Sequence, residues 1–137
     1  MYKQFGTNAE LEKEGVWIEY EGDTPEDTYG FLVARAGGAN TKFNKVMERL
    51  TKPKRRAIQT ETITMPQLEA ITREVYAEAV VLGWRNIKDE AGNIIQHSKE
   101  ACMELFVKLP DLFSDIQSQP SKATIYKLDV VESIVKN

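Results

Sequence analysis

The spacing of apolar residues changes near residue 40, and this change constrains the fold more than any other feature of the chain. Apolar side chains alternate with other residues over 16–20 and 29–33, the period of strands that bury one face. The stretch 21–28 between them is acidic and holds a glycine and a proline, as turns do. From residue 40 onward, apolar residues recur every three or four positions, which is typical of helices.

The two periods predict an α+β fold that is mostly α-helical. We expect an N-terminal β-hairpin at about residues 15–35, packed against a bundle of about five short helices within residues 40–137. The chain has 137 residues, which fits one domain spanning 1–137, because single domains commonly hold roughly 100–150 residues.

Capping residues and prolines divide the helical part. Asn40 or Thr41 is expected to cap a first helix, and Pro53 to restart a short basic one. The clearest helix should open at Thr64 and extend its apolar stripe to Leu82, with Gly83 at its C-terminus.

Two further helices are expected before the C-terminal segment. Ser98 should cap the first, and Pro110 should begin a short second one with Leu112, Phe113 and Ile116 on its apolar side. Residues 121–135 are expected to form a last helix with two apolar stripes, wider than the roughly 100° face that a surface helix needs. Such a helix either packs on two sides or touches a partner.

Charge is distributed in two opposed blocks. The formal net charge is only −3. Residues 10–27 hold eight carboxylates and one lysine, a net −7, whereas residues 42–56 hold seven cations and one glutamate, a net +6. The blocks indicate either an acid–base contact within the chain or a head-to-tail contact between copies, although two solvated faces would give the same pattern.

Catalytic and metal-binding motifs are not recognised in the sequence. His97 is the single histidine and is expected in a loop beside a helix cap, and Cys102, the single cysteine, falls on an apolar helix face. The pair Gly37 and Gly38 lacks the spacing of a phosphate loop and is expected to turn the chain from strand to helix. We therefore expect no enzyme activity, no metal and no cofactor.

The composition also bears on location and partners. No apolar run approaches the roughly 20 residues of a membrane span, and the first residues lack a signal-peptide core, so a cytoplasmic protein is expected. A nucleic-acid contact through residues 42–56 is a minor alternative, because the chain is acidic overall and aromatic residues do not alternate with these cations.

Several short blocks, in order along the chain, carry a resemblance to a known family. They are FGT at 5–7, LEKEGVWIEY at 11–20, ARAGGAN at 34–40, RRAIQ at 55–59, VLGW at 81–84 and LPDLF at 109–113. With these blocks the chain resembles the tail assembly chaperones of long-tailed, non-contractile bacteriophages.

The resemblance implies a non-enzymatic role in the host bacterial cytoplasm. Such a chaperone coats and solubilises the tape-measure protein, helps to recruit the major tail protein, and is absent from the mature virion. The contact with the major tail protein is implied for a longer product made by ribosomal frameshifting. A head–tail connector or minor tail protein remains an alternative function.

The candidate partner-binding residues follow from charge and apolar spacing. Self-association between copies is expected at Lys54, Arg55 and Arg56. The candidates for apolar contacts with the client are Leu112, Phe113, Ile116, Tyr126, Val130 and Ile134.

Overall fold

The computed structural model describes residues 6–119 and Tyr126. The elements in chain order are α1 (Ala9–Glu14), β1 (Val16–Tyr20), β2 (Tyr29–Val33), α2 (Thr41–Thr51), α3 (Arg55–Gln59), α4 (Met65–Val75), β3 (Val81–Arg85), α5 (Lys99–Lys108) and α6 (Pro110–Ser118). Short 3₁₀ turns occupy Pro25–Asp27 and Lys52–Lys54, and a π-helical turn occupies Tyr76–Val80. The predicted α+β class, mostly helical with an N-terminal hairpin, is confirmed.

The strands form one antiparallel sheet in the order β1-β2-β3. Val16 pairs with Val33 and Tyr20 with Tyr29, which puts the alternating apolar residues of the two strands on one face of the predicted hairpin. Phe31 pairs with Trp84 of β3. The face that carries Phe31 packs against the helices. This arrangement is expected because an isolated β-hairpin is only marginally stable in water.

The third strand corrects the predicted helix that was to run from Thr64 to Leu82. Helix α4 ends at Val75, and the chain passes through the π-helical turn directly into β3. The backbone carbonyl of Val80 accepts a hydrogen bond from the Ala34 amide at 2.8 Å. Pairing with β2 outweighs the helical spacing here, because β-branched valines suit a strand buried against its neighbours. Gly83 consequently lies inside β3.

Helix α1 was not predicted from the sequence. The side chain of Asn8 accepts hydrogen bonds from the amides of Glu10 and Leu11, and Gly15 ends the helix with a φ of +94°. An asparagine and a glycine seven residues apart are valid start and stop signals, but six residues are too few to show a helical period.

Most of the other predicted helix starts are confirmed. Thr64 and Gln67 form a reciprocal capping box on α4, and the Ser98 hydroxyl accepts from the Ala101 amide at 3.0 Å. Pro110 occupies the first turn of α6. Asn40 is the N-cap residue of α2, one of the two positions predicted, but its side chain makes no capping hydrogen bond.

The main core lies between the sheet and helices α5 and α6. Phe106 and Phe113 stack with ring centroids 4.4 Å apart, and Tyr76 meets Phe113 edge to face. Cys102 is fully buried, as predicted, and burial raises the pKa of its thiol to about 12. The thiol is therefore protonated and unreactive at neutral pH.

The expected C-terminal helix, with Val130 and Ile134, lies outside the described residues. Tyr126 is described and is fully buried. Its hydroxyl donates to the Val33 carbonyl at 3.0 Å, and its own carbonyl accepts from the Asn8 amide at 2.9 Å. Tyr126 thus joins the N-terminal helix region to the end of β2. In the described part of the chain, no helix has the length and apolar character to cross a membrane.

Candidate functional site

A run of unpaired cations extends along residues 52–59, which we call the basic segment. Lys52, Lys54, Arg55 and Arg56 are all exposed, and none has a carboxylate partner among the described residues. Ile58 is 38% exposed on the same short helix. The basic segment therefore presents charge and one apolar side chain to solvent.

Arg49 belongs to the basic block by sequence but has a structural contact. Its guanidinium donates two hydrogen bonds to the Glu78 carboxylate, at 2.6 and 2.8 Å, and Lys99 donates to the same carboxylate at 2.8 Å. Hydrogen bonds from Arg49 first and Lys99 second lower the pKa of Glu78 to about 2. This cluster links α2, the π-helical turn and α5.

The carboxylates of residues 10–27 that form ion pairs bind cations outside residues 42–56. Glu12 binds Arg35, Glu19 binds Arg85, and Asp27 binds Lys88, and none of these cations belongs to residues 42–56. Across residues 6–119 no ion pair joins the acidic block to the basic block. The expected alternative of an internal contact is therefore not found there.

A groove with an acidic rim opens between the β1–β2 loop and the corner between α5 and α6. We call this hollow, of about 360 Å³, the acidic groove. Leu105, Leu109 and Leu112 form its apolar side, with Ile87 beside them. Its lining carboxylates are Glu21, Asp23 and Asp27, and its one lining cation is Lys88.

The groove continues beyond Lys88. An adjoining hollow of about 390 Å³ shares Lys88, Leu105 and Leu109 with the acidic groove, and the charged residues it adds are Asp89, Glu90 and Lys108. Carboxylates thus outnumber cations along the combined surface, which makes it attractive to a cationic partner with apolar side chains.

The acidic rim is held by specific contacts. A Cβ at Gly22 would lie 2.4 Å from the Asp27 carbonyl oxygen, so the loop closes tightly only with glycine there. Thr24 donates to Asp27 at 2.9 Å across this turn. Asn86, with a φ of +58°, donates to the Thr28 carbonyl at 2.8 Å and ties the loop to the end of β3. These contacts fix the backbone that carries Glu21 and Asp23.

A second groove lies between α4 and α6, and we call it the α4–α6 groove. It encloses about 260 Å³ and is lined on its apolar side by Met65, Leu68, Phe106, Pro110 and Phe113. Met65 is 66% exposed and Leu68 is 36% exposed. Flexible methionine beside leucine gives an apolar surface that adapts to different side chains.

The structure separates the predicted site residues into exposed and buried groups. Lys54, Arg55 and Arg56 are exposed, and Leu112 is half-buried at the acidic groove. Phe113 and Ile116 are buried because the apolar stripe of α6 faces the core, and Tyr126 is buried where its hydroxyl binds the Val33 carbonyl. In this conformation Ile116 and Tyr126 support the fold, and Phe113, although buried, also lines the α4–α6 groove.

Sequence reasoning missed the exposed apolar residues around these grooves. Met65, Leu68 and Leu109 were not among the predicted site residues, yet each lines a groove and is at least 36% exposed. Their exposure depends on how α4, α5 and α6 meet. A single sequence offers no signal for that arrangement.

The single histidine lies in the loop before Ser98, as predicted. His97 meets Trp84 edge to face at 4.9 Å, and burial lowers the pKa of its imidazole despite a backbone hydrogen bond with Val81. Within the described ranges, no group of three or more histidine, cysteine or acidic side chains is arranged to hold a metal ion.

Comparison with known proteins identifies the lineage of the chain. Neither a curated protein nor a solved structure matches it. A family model described as YdaY prophage protein matches residues 38–137, nearly three quarters of the chain, including the basic segment, both α5 and α6, and β3. The chain therefore belongs to the YdaY prophage protein family.

Proposed function

We propose that this prophage protein is a non-enzymatic tail assembly chaperone that binds the tape-measure protein and keeps it soluble. It acts in the host bacterial cytoplasm, helps to recruit the major tail protein through a longer frameshift product, and leaves before the virion is complete. The proposal is supported by the resemblance that the ordered sequence blocks carry and by membership of a prophage protein family.

The exposed α4–α6 groove is the observation that carries the client-binding part of the proposal. A chaperone for a long helical client needs an apolar surface with a polar border, so that amphipathic helices dock without one fixed sequence. Met65 and Leu68 supply apolar surface, while Glu69 and Arg73 at the border carry opposite charges. The LPDLF block contributes Pro110 and Phe113 to the same groove.

Co-expression with the candidate tape-measure protein tests this function. We expect the wild-type chain to keep the client in the soluble fraction and to elute with it. The double variant Met65→Glu, Leu68→Glu should lose both properties, because two carboxylates in the groove would be buried by a docked apolar helix.

Ile94→Glu is the matched control. Ile94 is 64% exposed and does not line the α4–α6 groove, so this variant should behave as the wild type. A client that stays insoluble with the wild-type chain, with no complex eluting, would contradict the chaperone function. Mass spectrometry of purified particles separates it from a connector or minor tail protein, which would remain in the virion.

A further inference from the structure

The opposed charge blocks leave unpaired charge of both signs on one molecule. The basic segment has no carboxylate partner among the described residues, and neither Glu21 nor Asp23 has a cation partner there. Because the blocks do not pair within one copy, their complementarity is available between two copies.

One face of the basic segment carries two cations and an apolar side chain, and it is complementary to a groove with an acidic rim and an apolar floor. Lys54 and Ile58 are four residues apart and Arg55 and Ile58 are three apart, so all three lie on one side of the helical segment. Two cations thus flank a single exposed apolar side chain.

The acidic groove presents the opposite arrangement. Leu109 is 49% exposed in its apolar wall, and Glu21 and Asp23 stand at its rim. The space of about 360 Å³ accommodates one apolar side chain together with the aliphatic stems of lysine and arginine. Glu21 and Asp23 line the same hollow and have no cation partner among the described residues, so they are available to the charged ends of those stems.

We propose that the basic segment of one copy docks in the acidic groove of a second copy, with Ile58 against Leu109 and with Lys54 and Arg55 beside the rim carboxylates. The two surfaces are different parts of the chain, so the contact is head-to-tail. An open chain of copies keeps one basic segment and one acidic groove free at its ends, and a ring forms where these two ends meet.

This contact is separate from client binding, which uses the α4–α6 groove. It also accounts for Ile58 better than a nucleic-acid surface does, because phosphates offer no apolar contact to an isoleucine. Lys54 and Arg55 would bind either carboxylates or phosphates. The experiment must therefore distinguish a second copy of the chain from nucleic acid.

Analytical ultracentrifugation of the purified full-length chain tests the inference. We expect the wild-type chain to associate at low salt and to dissociate as NaCl rises from about 0.05 to about 0.5 M, because salt screens exposed ion pairs. Lys54→Glu, Arg55→Glu should raise the dissociation constant about tenfold or more, since two attractions become repulsions.

Two further variants make the result specific. Lys42→Glu, Lys45→Glu changes the net charge by the same amount on α2 and should leave association unchanged. A chain that combines Lys54→Glu and Arg55→Glu with Glu21→Lys and Asp23→Lys should associate again, because both sides of the contact are reversed together.

Unchanged association in the Lys54→Glu, Arg55→Glu variant would overturn the head-to-tail contact, and three other results would do the same. The first is a wild-type chain that stays monomeric at low salt. The second is equal weakening by the α2 control, and the third is failure of the combined variant to restore association while its circular dichroism spectrum is native. Loss of nucleic-acid retention in the Lys54 and Arg55 variant, with association unchanged, would assign the basic segment to nucleic acid. None of these results bears on client solubility, so the chaperone proposal is tested independently.

Discussion

At the scale of single residues, Asn40 joins two distant parts of the backbone with one side chain. Its amide nitrogen donates to the carbonyls of Arg35 and Ala79, both at 2.8 Å, and the residue is 5% exposed. Ala79 lies in the π-helical turn just before β3. Asn40 thus satisfies a buried carbonyl near the point where the helix becomes a strand.

We predict that Asn40→Ala lowers the free energy of unfolding by about 2–3 kcal/mol, because two carbonyls lose their donor in a buried site. Asn40→Asp should not restore stability, since an ionised carboxylate only accepts hydrogen bonds. Urea denaturation followed by circular dichroism measures the change. Asn44→Ala on the exposed side of α2 is the control and should change stability by less than about 0.5 kcal/mol. Equal midpoints for the two alanine variants would contradict the role of Asn40.

Gly38 makes room for a buried ion pair. Glu12 is 2% exposed, binds Arg35 at 2.7 Å and accepts a hydrogen bond from the Ala39 amide at 2.5 Å. Burial alone would raise the pKa of Glu12, but hydrogen bonds from Thr7, Ala39 and Arg35 together lower it. Gly38 has a φ of +53°, and a Cβ there would lie 2.6 Å from a Glu12 carboxylate oxygen.

We predict that Gly38→Ala destabilises the fold by about 2–3 kcal/mol, combining the cost of a left-handed alanine with displacement of the ion pair. Gly92→Ala provides the comparison, because Gly92 has a φ of +86° but nothing within 4 Å of a built Cβ. Gly92→Ala should lower the free energy of unfolding by only about 1 kcal/mol, which is the cost of a left-handed alanine backbone alone. Thermal and urea unfolding measure both variants. Equal losses of stability in Gly38→Ala and Gly92→Ala would show that crowding of the Glu12 carboxylate is unimportant.

At the scale of elements, the sequence predicted those strands and helix starts that depend on neighbouring residues. Alternation located β1 and β2, and Thr64, Ser98 and Pro110 gave correct helix starts because caps depend on neighbouring residues. The end of α4 was missed, since the strand that follows exists only through pairing with β2. The predicted stripe toward Leu82 could not reveal that competition.

The candidate surfaces were predictable only in part. The sign and position of the two charge blocks follow directly from sequence, but the structure was needed to separate Arg49, which binds Glu78, from the unpaired Lys54. The acidic groove combines the loop near residue 21, the end of β3 and the corner between α5 and α6. Such a site depends on contacts between remote segments, which periodicity does not encode.

At the scale of the whole molecule, Glu78 connects the helical part across three elements. Arg49 on α2 and Lys99 on α5 both bind its carboxylate, and Lys99 also reaches Glu74 of α4 at 3.0 Å. The Glu78 side chain is 18% exposed, whereas that of Arg49 is 55% exposed, so water screens part of the attraction. The cluster should therefore make a moderate contribution to stability.

The lowered pKa gives that contribution a definite pH dependence. The pKa of Glu78 falls from an ordinary 4.5 to about 2 in the folded chain, so the unfolded state binds the proton more tightly. The stabilisation is complete above the unfolded value, and is lost as pH falls from about 4.5 toward about 2. We predict that Glu78→Gln lowers the unfolding free energy by about 1–2 kcal/mol at neutral pH.

Thermal unfolding of both proteins across a pH series measures this effect. The stability gap between wild type and Glu78→Gln should be largest near about pH 7 and should shrink below about pH 4, because the wild-type carboxylate then becomes neutral as well. Glu69→Gln on α4, an exposed carboxylate with no ion pair among the described residues, should show little gap at any pH. A Glu78→Gln gap that stays constant down to about pH 3 would mean that packing, and not the ionised carboxylate, holds these helices together.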